Sequence, residues 1–324
     1  MIFDNIRRNI SQVMLFALII LLLFYSGDLF FSSADKIEWN RSIFSGLPDF
    51  LHGRPSIIIS MLLTLISGLL IYKINFDHLS INSREHLLVW LWIIQVGGFS
   101  FFHQLTEVHF AVIFILLSYD LLFYVNSKTV EYKRIFLSAM YLGIATLFYN
   151  FSIYLFVPYI VSLYRFKIAG FRDWIISIAG FITPFYFAIF SFFFFTGDWY
   201  YPIETTVNNI IPDSLSIKFA DMSLPQYLFC AFIAALIIIE ILTPRLASKG
   251  LNQKTISCIS SFSFMLFFSL LISLIFNSEN KFMLHIIFIP TTILLRILFF
   301  KITKNIIANL LFIALITIAF LALL

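Results

Sequence analysis

Asp28 follows the apolar run 13–25 almost directly, so its carboxylate is expected at or just inside a membrane interface, where an acid is costly unless it is paired or faces a cavity. A carboxylate held there can take a proton from a hydroxyl nucleophile, and nearby cations can hold a departing phosphate. The cations that the sequence offers are Arg41 and Arg54 in the same polar stretch, residues 27–55, and Lys281 with His285 one helical turn further on. The remaining charges of this stretch, Asp35, Lys36, Glu38, Asp49 and His52, are read as solvated, because exposed ion pairs contribute little.

Other residue types could do different chemistry. His103, Glu107 and His109 are metal-capable, and His103 and Glu107 would share a helical face, but between apolar helices such a trio is read as hydrogen-bonded interface residues and no metal is expected. Asp120, Glu240 and Arg296 lie inside apolar segments near their ends. An Asp120–Arg296 pair would lower the cost of burying both, and clamping between helices or snorkelling is the reading given to these groups. Cys230 and Cys258 fall in or beside apolar segments as small packing residues. No Gly-rich phosphate loop occurs, so cytoplasmic nucleotide chemistry is not expected, and nothing points to a cofactor or to nucleic acid.

The elements that must position these residues follow from composition. With 324 residues, 61% hydrophobic and 12% charged, and a mean hydropathy of +0.98, the chain reads as an all-α polytopic membrane bundle, a single domain over 1–324. About 20 apolar residues cross the hydrocarbon layer. That length places eleven spans at about 13–31, 56–73, 87–103, 108–125, 135–148, 150–164, 174–196, 225–243, 256–276, 282–300 and 306–324. The first is read as an uncleaved anchor with Arg7 and Arg8 in the cytoplasm. Alternating the gaps from there gives sixteen of the 21 Lys and Arg to the cytoplasmic side and leaves Lys36, Arg41, Arg54, Lys218 and Lys281 outside, with the C-terminus outside as well.

That charge bias requires 135–148 and 150–164 to go out and back, turning near Tyr149 and Asn150. Short helices of this kind border a protein-lined or watery recess, so Asn150 is expected below the outer surface and near any substrate. Within 27–55, Ile37, Phe44, Leu47 and Leu51 recur near a 3.6-residue period with Trp39 beside them, which predicts a helix lying on the membrane. A second outer loop is expected at 197–224.

A first helix followed at once by an acidic outer loop, then many spans with a short hairpin, resembles the polytopic (GT-C-like) glycosyltransferases that use polyprenyl-phosphate sugars. The resemblance implies an inner-membrane enzyme with Asp28 as catalytic base and cations on the lipid phosphate. The chain departs from that pattern in carrying no Asp-x-Asp or Glu-x-Asp pair in its first loop. The stretches 146–152, 172–175 and 277–281, with Phe288-Ile289-Pro290 and Asp28-Leu29, are also similar to an uncharacterised family of multi-pass inner-membrane proteins of Bacteroidetes, which implies no site residues. The function expected is therefore sugar transfer from a lipid phosphate on the periplasmic face, with membrane lipids as partners. The other reading is a non-enzymatic component, either a flippase for lipid-linked substrate or an assembly subunit.

Overall fold

The computed structural model describes residues 10–31, 53–79, 86–125, 131–168, 170–197, 199–210, 222–242, 252–275, 280–302 and 305–323. Among them the secondary structure is entirely helical: α1 (Ile10–Phe31), α2 (Arg54–Ile74), α3 (Leu87–Gly97), α4 (Glu107–Tyr124), α5 (Tyr132–Phe148), α6 (Phe156–Arg165), α7 (Phe171–Thr196), α8 (Tyr201–Ile210), α9 (Leu224–Leu242), α10 (Gln253–Ile275), α11 (Asn280–Lys301) and α12 (Asn305–Leu323). Seven helical segments are long and apolar enough to cross a membrane, in α2, α4, α7 and α9 to α12, and α1 and α3 hold shorter apolar stretches. This is a helical membrane protein. The membrane-lying helix expected in 27–55 lies outside the described residues, except that 27–31 are the last turns of α1 and 54–55 open α2.

Local signals explain where several helices begin and end. Pro55 sits in the first turn of α2, where its missing N–H costs nothing. Thr106 caps α4 together with His109, and Asp173 reaches back to the Gly170 N–H at 3.0 Å to open α7. Gly197, with φ of 75°, closes α7 in the left-handed conformation that glycine takes without strain. The expected hairpin is present: α5 ends at Phe148, a tight helical turn runs Asn150–Leu155, and α6 returns. Phe148 stacks on Phe110 and Phe114, while Phe166 past the end of α6 meets Phe123, so the pair goes out along α4 and comes back.

α3 and α11 form the centre. Every residue of α3 is buried, as is 89% of the apolar window of α11, against 11% for α7, which is peripheral. Without a hydrophobic force between helices in lipid, close packing and buried polar contacts hold such a bundle. Both appear here. Gly143 of α5 and Gly180 of α7 bring two backbones together, since a Cβ on either would sit 2.3 or 2.4 Å from the facing carbonyl of Phe181 or Phe136.

Gln95 of α3 accepts from Thr291 of α11 at 2.7 Å, and its amide nitrogen bonds nothing among the described residues. Thr291 and Thr292 also bond the Phe288 carbonyl of their own helix. Gln95→Leu therefore removes an orphaned donor along with an acceptor that Thr291 and, at 3.4 Å, Thr292 share. It should change unfolding free energy in detergent by no more than about 0.6 kcal/mol, the mean for such interhelical bonds.

Two contact groups mark the ends of the bundle. At one, Asp28 of α1 pairs with His103, Ser60 of α2 donates to the His103 carbonyl, and Phe102 packs on His285 of α11. At the other, Lys73 of α2 meets Asp120 of α4, Lys254 of α10 lies over the Tyr124 ring, and Lys301 of α11 bonds Glu240 of α9. Ser60 and Lys73 are 13 residues apart in one helix, about 20 Å at 1.5 Å per residue, so these ends face opposite ways.

Candidate functional site

The Asp28 end is organised by the connection between α3 and α4, residues 98–106, which includes a short helical turn at Ser100–Phe102. α3 has only eleven residues, about 16 Å, so this irregular backbone continues inward from the bundle end. Non-helical backbone at membrane depth survives only when protein satisfies its polar groups. Side chains from three helices and from the segment itself do so. Ser56 accepts from the Leu105 N–H at 2.8 Å and Ser60 donates to the His103 carbonyl at 2.5 Å. His103 Nε2 lies 2.8 Å from the Gly97 carbonyl, and His109 Nε2 lies 3.1 Å from the Phe102 carbonyl, which also receives the Tyr25 hydroxyl. The other His109 nitrogen serves Thr106. His103 and His109 thus act as hydrogen-bonding residues of the segment.

His103 also holds Asp28. Its Nδ1 pairs with the Asp28 carboxyl, and its ring stacks on Tyr25 one turn earlier in α1, with centroids 4.1 Å apart. Because the Gly97 carbonyl only accepts, Nε2 carries a hydrogen and Nδ1 is the nitrogen that faces Asp28. The histidine side chain is buried and that of Asp28 is 34% exposed. The buried imidazole orients an acid whose free edge faces outward at the tip of α1.

The other selected residues fall as follows. Arg54 is exposed at the start of α2, two residues before Ser56, and Lys281 is half-buried at the start of α11 with its ammonium 5.3 Å from the Phe282 ring. Phe282 meets Phe101 of the 98–106 segment, so Arg54 and Lys281 share the end that carries Asp28. His285 sits deeper, buried against Phe102, Trp92 and His109, with neither ring nitrogen hydrogen-bonded among the described residues. Asn150 is buried and its side chain likewise has no hydrogen bond among the described residues, but its turn packs on α8 and α10 while α1 packs on α2 and α3. The structure gathers Asp28, Arg54 and Lys281 at one end, puts His285 beneath them, and leaves Asn150 to one side. Arg41 lies outside the described residues. A groove of about 300 Å³ runs between α5 and α7, lined by Met140, Ile144, Leu147, Pro184, Phe187 and Phe192 among others; it is apolar and includes none of the selected residues.

The opposite end holds a polar cluster that spacing does not reveal. Asp120 is bonded by Lys73 of α2 at 2.7 Å and by His78 of the turn that follows α2 at 3.0 Å, so its carboxylate is taken from that side and not by Arg296 as expected. Lys73 and Asp120 are 47 residues apart, and only the α2–α4 packing joins them. These contacts join α2 and the turn after it to α4. Glu240 is bonded by Lys301 at 2.9 Å. A signal for the Asp28 end was present, since Ser56, Ser60, Thr64 and Ser67 mark one polar face of an apolar helix at helical spacing.

Fold and site together define a helical membrane protein with an oriented carboxylate at one end of its bundle. Comparison with protein-family models, with curated proteins and with solved structures returns no match for this chain.

Proposed function

We propose that the chain is an inner-membrane glycosyltransferase-like enzyme that takes sugar from a polyprenyl phosphate, with Asp28 as the base. The observation that carries this reading is the Asp28–His103 pair: a partly exposed carboxyl at the tip of α1, oriented by a buried imidazole that is itself fixed on the Gly97 carbonyl. As the acceptor oxygen bonds to the anomeric carbon, its proton passes to Asp28, the carbon–oxygen bond to phosphate breaks, and the lipid phosphate leaves with the electron pair. Arg54 and Lys281, with Arg41 beyond the described residues, supply charge for that anion.

The same proposal has eleven crossings, with the Asp120 end in the cytoplasm and the Asp28 end outside. Its support is the distribution of cations. Lys73, Arg134, Arg165, Arg172, Lys254 and Lys301 gather with the Asp120 end and Arg54 and Lys281 with the Asp28 end, the asymmetry expected of inside and outside loops.

Asp28→Asn keeps shape and polarity but cannot accept the proton. In proteoliposomes with polyprenyl-phosphate sugar it should lower transfer by at least about a hundredfold, the lower range for a general base. Transfer at the wild-type rate by this variant overturns the assignment of Asp28. Movement of lipid-linked sugar across the bilayer with no bond cleaved by the wild type replaces the enzyme with a flippase.

A further inference from the structure

We infer that Asp77, His78 and Asp120 form a binding site for one first-row divalent metal ion at the end of the bundle opposite Asp28. One ligand atom from each of the three lies within 4.8 Å of the others. His78 Nε2 and Asp120 Oδ1 are 3.0 Å apart, within half an ångström of the about 3.4 Å that separates two ligands on a tetrahedral ion with bonds of about 2.1 Å. All ligand pairs on such an ion are about 3.4 Å apart, so atoms within 4.8 Å of one another close the set by side-chain movements of up to about 1.4 Å, shared between the partners. Each residue is already positioned by a group that could remain in place when metal binds. Lys73 holds the second Asp120 oxygen at 2.7 Å, Tyr124 donates to Asp77 at 2.5 Å, and Thr255 of α10 reaches the His78 carbonyl at 3.4 Å. Outer contacts of this kind orient metal ligands and set their basicity.

Two features of the turn that carries Asp77 and His78 support a ligand there. Asp77 and His78 lie in a wide helical turn, Asn75–Leu79, with five residues where an α-helix would continue, and such turns are rare and concentrate at functional sites. In that turn the Asn75 side chain is 1% exposed and neither its oxygen nor its nitrogen has a hydrogen-bond partner among the described residues; His78 Nδ1 is likewise buried and unbonded. With Nε2 on a metal, Nδ1 can carry the ring hydrogen without breaking any hydrogen bond among the described residues. One imidazole with two carboxylates is a mixed nitrogen and oxygen set, suited to zinc or manganese more than to magnesium or calcium. Asp77 is only half-buried and gives the ion a way in.

The site is independent of the sugar-transfer reading and its test needs no substrate. Full-length protein in detergent, treated with chelator and desalted, is titrated calorimetrically with Zn²⁺ and with Mg²⁺. The expected result is one Zn²⁺ per chain, with Mg²⁺ at least about tenfold weaker, and a loss of Zn²⁺ affinity of about tenfold or more in Asp120→Asn and in His78→Gln. Asp77→Asn guards against misfolding of those variants, because its side chain is half-buried; it should fold, and the Zn²⁺-dependent rise in thermal midpoint expected of the wild type should shrink or disappear. No stoichiometric binding by the wild type, or affinity and thermal response unchanged in the folded variants, overturns the proposal.

Discussion

Replacing Gly180 or Gly143 by alanine should destabilise the protein by about 1–3 kcal/mol, the cost of overpacking a filled interior. The added Cβ would meet main chain and not a movable side chain: 2.4 Å from the Phe136 carbonyl in one case and 2.3 Å from that of Phe181 in the other. No rotamer change relieves such a contact, so α5 and α7 must separate. Because either substitution opens the same interface, the double variant should lose less than the two losses added together. Gly27 is the control. A Cβ there meets nothing within 4 Å, and Gly27→Ala should leave stability unchanged or raise it through helix propensity. Thermal midpoints in one detergent read all four; a neutral Gly180→Ala would mean that the two helices are not in backbone contact.

The second large effect is expected at His103. His103→Ala removes the ring that holds Asp28, leaves the Gly97 carbonyl without its donor and takes the stacking partner from Tyr25. A loss of about 2–5 kcal/mol, as for truncating other large buried side chains, should follow. Asp28→Asn should cost no more than about 1 kcal/mol, because its carboxyl is partly solvated and an amide still bonds the ring. This inequality separates structure from chemistry at the site: stability falls most at His103, whereas transfer is lost at Asp28 with the fold retained. Equal destabilisation by both would make the pair a structural clamp. Denaturation in detergent together with a sugar-transfer assay distinguishes the two cases.

The hairpin shows how far charge patterning reaches. Thirty residues from 135 to 164 are too few for two full crossings, yet basic groups on both flanks demand an even number of passages, and the break at Tyr149 and Asn150 stands where that demand puts it. The Asp120 partner shows where it fails. From sequence, Arg296 at similar depth was as good a counter-charge as any, because depth along an axis can be counted at 1.5 Å per residue but rotation about it and the choice of neighbour cannot. Packing turned α4 so that Asp120 meets Lys73 and His78.

Composition, apolar run length and the placement of Lys and Arg determined a helical membrane protein and picked out Asp28, because the cost of moving backbone and charge out of water acts on each segment by itself. Which side chain orients that carboxylate was decided only in three dimensions. His103 was legible as a metal-capable residue in a turn; it became the partner of Asp28 because α3 stops short, the 98–106 backbone must be satisfied inside protein, and α1 packs beside it. The Asp77–His78–Asp120 cluster likewise joins residues more than forty apart, and contact at that separation is a property of helix packing, which no local spacing encodes.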